Sequence, residues 1–160
     1  MADIRAGETP VAQSKILVVD DNPQNLELLV AYLEPIGCEV CTASDGLGAL
    51  EKVAIEDPHL ILLDIMMPRM SGFEVCRKIK SDPETRDIPV IMVTALTELG
   101  DIERAVDSGT DDFISKPVNR LELLTRVKSL LRVRHLKNEL DRTLAYLSEV
   151  EKRGSATLEN

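Results

Sequence analysis

The sequence contains very few aromatic residues: two Phe, two Tyr and no Trp among 160 residues. A hydrophobic core must therefore be aliphatic, and the hydrophobic fraction of 44% is large enough to form one. Basic residues are fewer than acidic ones: the chain has 19 Lys and Arg and 28 Asp and Glu, which gives a formal net charge of −9. We expect no direct binding to nucleic acid or to an anionic membrane, because both partners are themselves anionic.

Long apolar runs are lacking as well. No stretch approaches the roughly 18 residues that a membrane-spanning helix needs, and the first residues lack the apolar middle of a signal peptide. We therefore expect a cytoplasmic protein. A length of 160 residues suits one domain with appendages. We predict a flexible leader over residues 1–14, a folded domain over residues 15–134 and a helical extension over residues 135–160.

Cysteine occurs three times in the chain. Cys38 and Cys41 form a C-x-x-C pair near a βαβ pattern, which leaves a redox function open. Cys41, however, falls inside an apparent strand and not at a helix N-terminus, where a thiolate would be stabilised. One such pair is also too few ligands for structural zinc. We therefore expect these cysteines to be small buried hydrophobic residues.

Short apolar runs alternate with segments of helical periodicity five times along the chain. Strands that are apolar on both faces are typical of a parallel sheet covered by helices, and right-handed crossovers make such a sheet doubly wound. We predict an α/β fold with a five-stranded parallel sheet in the flavodoxin-like order 2-1-3-4-5, followed by an extended C-terminal helix. The predicted strands are residues 15–19, 39–43, 60–63, 90–93 and 112–115.

Polar side chains follow four of these five strands. Asp20 and Asp21 come after the first strand, Asp64 after the third, Thr94 after the fourth and Lys116 after the fifth. Ligands of an open parallel sheet bind at the carboxyl ends of its strands. The predicted order makes strands one, three, four and five neighbours, so we expect these five side chains to converge on one edge.

Three carboxylates in one small pocket repel each other unless a cation lies between them. An all-oxygen site suits a hard cation, Mg²⁺ or Ca²⁺. A nearby Lys and a hydroxyl are groups that a bound phosphoryl group needs, and a carboxylate can itself be the nucleophile. Each residue alone could be a helix cap or an ordinary strand residue, but together they indicate a site of phosphoryl transfer.

Four segments resemble the motifs of response-regulator receiver domains in two-component signalling, in the right order and spacing. The resemblance covers about residues 15–134, with Thr94 lying 30 positions after Asp64 and Lys116 lying 22 positions after Thr94. The segments are ILVVDD (16–21), LILLDIMMPRMSG (60–72), VIMVTA (90–95) and FISKP (113–117).

The resemblance implies a role for each matching residue. Asp64 would be the phosphoacceptor. Asp21 and Asp64 would ligate Mg²⁺ directly, Asp20 would do so through water, and the backbone carbonyl of Met66 would complete the protein ligands.

The same resemblance implies a switch. Lys116 would bind the phosphoryl oxygens, with a cis peptide bond before Pro117. Thr94 would be the switch hydroxyl and Phe113 the switch aromatic, where the family often has Tyr.

Receiver domains of this kind accept a phosphoryl group from a sensor histidine kinase or a phosphotransfer protein. The resemblance implies that phosphorylation changes the face made by helix four, strand five and helix five, and so controls an output domain or a downstream protein. The stretch over residues 65–95 looks most like receivers that control cyclic-di-GMP enzymes or belong to hybrid sensor kinases. Such a chain is not a turnover enzyme, although it catalyses its own Mg²⁺-dependent phosphorylation and slow dephosphorylation.

Two other functions remain open from the residues. A phosphatase of the haloacid-dehalogenase type needs an acid two residues after the nucleophile, and Met66 occupies that position. An adaptor that is never phosphorylated is the second alternative, and the complete set of five polar residues argues against it.

The C-terminal segment carries a repeating apolar pattern. Val133, Leu140 and Leu147 recur every seven residues, and Leu136, Leu144 and Val150 fall three or four positions after them. This spacing predicts a short coiled-coil seam and a concentration-dependent homodimer, favoured by phosphorylation. The alternatives are that the segment folds back on its own domain or contacts an output domain.

Overall fold

The chain forms a five-stranded parallel sheet with helices on both faces, as predicted. The structure is a computed structural model that describes residues 13–95 and 99–158. The sheet order is β2-β1-β3-β4-β5, which confirms the flavodoxin-like order. The strands are β1 (Lys15–Val19), β2 (Glu39–Ala43), β3 (Leu60–Asp64), β4 (Val90–Thr94) and β5 (Asp112–Ser115).

In the part of the chain that the structure describes, five α-helices follow the strands in turn. Residues 1–12, which make up most of the predicted leader, lie outside the described residues. The helices are α1 (Pro23–Leu33, continued by a 3₁₀ turn over Glu34–Ile36), α2 (Gly46–Glu56), α3 (Gly72–Ser81), α4 (Leu99–Asp107) and α5 (Arg120–Leu158).

The strands β3 and β4 are one residue longer than predicted. Asp64 pairs in register with Val93, and Thr94 pairs with Ser115. Both polar residues are therefore the last residues of their strands and do not follow them. The ladder hydrogen bonds include these positions because backbone pairing does not depend on side-chain polarity.

The core is aliphatic and lies on both faces of the sheet. All residues of β3 and β4 are buried, as central strands of a covered parallel sheet require. One cluster lies beneath α2, α3 and α4, and the other beneath α1 and α5.

The C-x-x-C pair is divided between these two clusters. Cys41 packs against the first cluster and Cys38 against the second. Burial raises the pKa of both thiols. Thiols on opposite faces of a sheet cannot pair, so the hydrophobic interpretation holds, although Cys76 is fully buried and the other two are half-buried.

The helix α5 is much longer than the others, at 39 residues. Its first part covers the sheet with Leu123, Val127 and Leu131, which are buried. From Val133 onward its large apolar side chains are exposed. Among the described residues, no helix is both long enough and apolar enough to cross a membrane.

Candidate phosphoryl-transfer site

The carboxyl edge of the sheet brings three carboxylates together. Asp20 and Asp21 follow β1, and Asp64 ends the neighbouring strand β3. One oxygen from each side chain can be chosen so that all three lie within 4.8 Å of one another. An all-oxygen set of this size fits a hard divalent cation. The predicted convergence of the acids is therefore observed.

Burial differs within this cluster. Asp20 and Asp64 are 1% and 4% exposed, whereas Asp21 is exposed. Burial raises the pKa of the Asp64 carboxyl, and the negative charge of Asp20 adds to the rise. Lys116 and the backbone N–H of Met66 oppose it. Burial is thus the main reason why ionisation of this carboxyl is disfavoured, and the like charge of Asp20 is the second.

Lys116 reaches both buried carboxylates. Its Nζ lies 3.2 Å from Oδ2 of Asp20 and 3.5 Å from Oδ1 of Asp64. Its backbone N–H donates to the carbonyl oxygen of Thr94 at 2.7 Å, and the Lys116–Pro117 peptide bond is cis. The lysine therefore lies at the same edge as the acids, where its charge can act on a bound anion.

Asn22 organises the acidic loop after β1. Its backbone N–H donates to Oδ1 of Asp20 at 2.9 Å. Its side-chain oxygen accepts from the backbone N–H groups of Gln24 and Asn25, which caps α1. Asp20 is therefore held from two sides, by Asn22 and by Lys116. Sequence reasoning did not assign Asn22 to the site, although its position directly after Asp21 could have indicated a contact with the acids.

Gly72 is a second residue that sequence reasoning missed. Its N–H donates to the carbonyl oxygen of Ile65 at 2.9 Å. A Cβ at this position would overlap the backbone carbonyl oxygen of Asp64 and would lie 2.8 Å from Cα of Ile65. The start of α3 therefore packs directly on the backbone of Asp64. The glycine closing the MPRMSG segment was the available signal.

Thr94 and Phe113 lie on the same face of the sheet. Phe113 pairs in register with Met92, and Thr94 is two residues beyond Met92 on the same strand. Thr94 is 3% exposed at the end of β4, and Phe113 is half-buried against the cluster beneath α2, α3 and α4. This places the predicted switch pair on the side covered by α4.

An open cleft of about 710 Å³ lies over the acids, and its lining includes Asp20, Asp64, Met66 and Lys116. The side chain of Met66 is 66% exposed at the cleft.

Comparison with known proteins decides the family. Residues 16–128 match the family model described as the response regulator receiver domain. The chain belongs to this family.

The receiver domain is 49% identical over 127 residues to the Response regulator PleD of Caulobacter vibrioides, covering 79% of this chain and 28% of that protein. It is 42% identical over 118 residues to the transcriptional regulator RpaA of Synechocystis sp., covering 74% of this chain and 49% of that protein. The chain thus spans between about a quarter and a half of these relatives.

Solved structures agree with the fold of the receiver domain. The receiver domain of a signal transduction histidine kinase from Syntrophus aciditrophicus matches with a TM-score of 0.71 and 38% identity, over 74% of this chain and 90% of that one. The receiver domain of the sensor histidine kinase PA1611 from Pseudomonas aeruginosa matches with a TM-score of 0.69 and 30% identity, over 74% and 98%. That structure holds a magnesium ion in its active-site cleft.

Proposed function

We propose that this receiver domain is a phosphorylation-dependent switch in which Asp64 accepts a phosphoryl group from a sensor histidine kinase or a phosphotransfer protein. The observation that carries the proposal is the contact of one ammonium group, that of Lys116, with the buried carboxylates Asp20 and Asp64. An anion bound there would meet a cation and a nucleophile in the same cleft.

The donor set fits Mg²⁺ as the cofactor. Asp21 and Asp64 would bind it directly, Asp20 through water, and the backbone carbonyl of Met66 would be the fourth protein group. Bound there, the ion supplies positive charge to the phosphoryl oxygens. The raised pKa of Asp64 supports this assignment, since a bound cation would offset the cost of ionising a buried carboxyl beside Asp20.

The transfer needs a donor with a good leaving group. A carboxylate oxygen of Asp64 forms a bond to phosphorus while the P–N bond of a phosphohistidine breaks, and its electron pair returns to the imidazole. Lys116 neutralises charge on the transferred group. The product is an aspartyl phosphate on this chain, so the domain is a substrate in its own reaction and not a turnover enzyme.

The phosphorylated state is read through Thr94 and Phe113. The Thr94 hydroxyl would donate to a phosphoryl oxygen, and its movement would open space for the Phe113 ring. Because both residues lie on the face covered by α4, this step would remodel the surface made by α4, β5 and α5. That surface would then act on an output domain or a downstream protein in the cytoplasm.

The signalling pathway that this switch controls is proposed from sequence similarity alone. The 49% identity to PleD favours a link to cyclic-di-GMP signalling, as the resemblance of residues 65–95 predicts. A homodimer through the C-terminal helix, favoured by phosphorylation, is a separate proposal.

Labelling by a small phosphodonor tests the function. With acetyl phosphate and Mg²⁺, the chain should gain one phosphoryl group, measured by intact-mass spectrometry, and EDTA should prevent it. Asp64→Asn should take no label, whereas Asp141→Asn, which changes an exposed acid on α5, should be labelled normally. Labelling of the Asp64 variant would overturn the assignment. Rapid turnover of donor without stable label would favour the phosphatase, and no label on the natural chain would favour the adaptor.

A further inference from the structure

The side chain of Met66 combines solvent exposure with a place at the proposed phosphorylation site. It is exposed to the extent of 66% and lines the same cleft as Asp64 and Lys116. The backbone N–H of Met66 donates to the Asp64 carboxylate, so the segment that carries the thioether is held beside the proposed phosphoacceptor. A flexible and polarisable sulfur group therefore meets solvent next to the carboxylate that would carry the phosphoryl group.

The other methionines in the part of the chain that the structure describes are better protected. Met67 is 9% exposed and Met92 is fully buried, while Met70 is half-buried. Met70 also packs against the first residue of α2, because a Cβ on Gly46 would lie 2.8 Å from Cβ of Met70. Oxidants reach a thioether from solvent, so exposure governs the order in which methionines react. Among these four residues, Met66 should react first.

The three thiols compete poorly with this thioether for an oxidant. Burial raises the pKa of Cys38, Cys41 and Cys76. The thiolate is the form of cysteine that peroxides attack, and a raised pKa keeps that form scarce at neutral pH. A mild oxidant is therefore expected to modify Met66 before it modifies the cysteines.

We propose that Met66 is an oxidation site through which a hydroperoxide shortens the lifetime of the aspartyl phosphate, an inference that rests on the proposed phosphorylation of Asp64. With hydrogen peroxide, a lone pair of the Met66 sulfur attacks one peroxide oxygen and the O–O bond breaks. The departing hydroxide takes the proton of the transferred hydroxyl and leaves as water. The sulfur is oxidised to a sulfoxide and the peroxide is reduced.

The sulfoxide changes what Met66 presents to the cleft. A thioether is a weak hydrogen-bond acceptor, whereas the oxygen of a sulfoxide is polar and can accept a hydrogen bond from water. A water held in this way would lie beside the phosphoryl group on Asp64. Its oxygen forms a bond to phosphorus while the bond from phosphorus to the Asp64 oxygen breaks, which gives inorganic phosphate and the free carboxylate. The oxidant would thus return the switch to its unphosphorylated state.

Peptide mapping by mass spectrometry, without a phosphodonor, tests the site of oxidation. After mild treatment with hydrogen peroxide, the mass of one added oxygen atom should appear at Met66 before it appears at Met67, Met70 or Met92. Methionine sulfoxide reductases should remove it. Earlier oxidation of one of the protected methionines, or of a cysteine, would overturn the proposal.

The lifetime of the label tests the consequence. The chain is labelled with acetyl phosphate and Mg²⁺, and the donor is then removed. Peroxide-treated chain should lose the label at least about threefold faster than untreated chain, and treatment with the reductases before labelling should restore the slower rate. Equal rates in a chain that takes label would refute this proposal alone. Absence of label before any oxidation would refute the phosphorylation of Asp64, and this proposal with it.

Substitutions assign the effect to one sulfur atom. Met66→Leu should lose its label at the same rate with and without peroxide, because leucine has no sulfur to oxidise. Met66→Gln places a polar group at the cleft permanently, so it should lose the label quickly in both conditions. Met70→Leu is the matched control and should respond to peroxide as the natural chain does, since Met70 does not line the cleft. A response that persists in Met66→Leu, or that disappears in Met70→Leu, would overturn the assignment to Met66.

Discussion

The ammonium group of Lys116 lies closer to Asp20 than to Asp64, at 3.2 Å against 3.5 Å. Asp20 also accepts the backbone N–H of Asn22. Asp64 likewise has two partners, Lys116 and the backbone N–H of Met66, yet its burial and the nearby charge of Asp20 still raise its pKa. The charge of the proposed phosphoacceptor is therefore not fully compensated by the groups around it.

The first prediction concerns stability without metal. Because the folded-state pKa of Asp64 is raised above its ordinary value of 3.8, ionising this group weakens the fold. Natural protein should lose stability relative to Asp64→Asn as the pH rises through that folded-state pKa, and the difference should vanish at lower pH. Urea denaturation in EDTA at a series of pH values measures it.

Mg²⁺ should reverse this effect for the natural protein and leave Asp64→Asn nearly unchanged. Asp141→Asn, which removes an exposed carboxylate, provides the control and should follow the natural protein at each pH. A stability difference between natural protein and Asp64→Asn that is constant with pH would contradict the burial argument.

The second prediction concerns Gly72. Gly72→Ala should lower the free energy of unfolding by about 1–3 kcal/mol, because the added Cβ overlaps the backbone of Asp64 and forces α3 away. The same displacement should slow phosphorylation by acetyl phosphate. Gly100→Ala, where a Cβ meets nothing within 4 Å, should instead leave stability equal or slightly higher. Equal stability of Gly72→Ala and the natural chain would refute the contact.

The third prediction concerns the switch. Thr94→Ala should still be labelled at Asp64, because the hydroxyl is not needed for attack on phosphorus. It should not show the change in the Phe113 ring resonances that labelling produces in the natural protein. Thr143→Ala, on the exposed part of α5, should keep that change. Identical NMR shifts for labelled Thr94→Ala and labelled natural protein would show that the two residues are not coupled.

The fourth prediction concerns the lifetime of the aspartyl phosphate. Met66 is apolar and lies at the cleft, so it cannot orient an attacking water and it hinders access. Met66→Asn should speed loss of the label by up to about tenfold, and Met66→Leu should leave the rate nearly unchanged. The companion position two after Thr94 is Leu96, which lies outside the described residues. A double variant with Leu96→Glu should hydrolyse faster still, and a slower rate in either variant would argue against shielding.

Much of the fold and of the site follows from local patterns. Apolar runs with turn residues between them define the strands, and parallel strands share one carboxyl edge. The shared location of Asp20, Asp64, Thr94 and Lys116 at this edge could therefore be predicted from their positions in the sequence alone.

Other features depend on distances that no local pattern contains. Gly72 matters because α3 packs within a few ångström of β3, and a glycine in a loop does not reveal that approach. Arg134 binds carbonyls 75 and 76 positions away. Cys38 and Cys41 are only three positions apart in the chain, yet Cys38, directly before β2, and Cys41, within it, pack against the clusters on opposite faces of the sheet.

Because α5 is continuous, a small rotation where it meets the domain is amplified along its projecting part. After Arg134, 24 further residues of unbroken helix reach to Leu158, a projection of about 36 Å. A tilt of about 5° at the contact with His59 would move the far end by about 3 Å, roughly the length of a hydrogen bond. A displacement too small to disturb the packing of the sheet would therefore become, at the tip of the helix, large enough to break or make a contact.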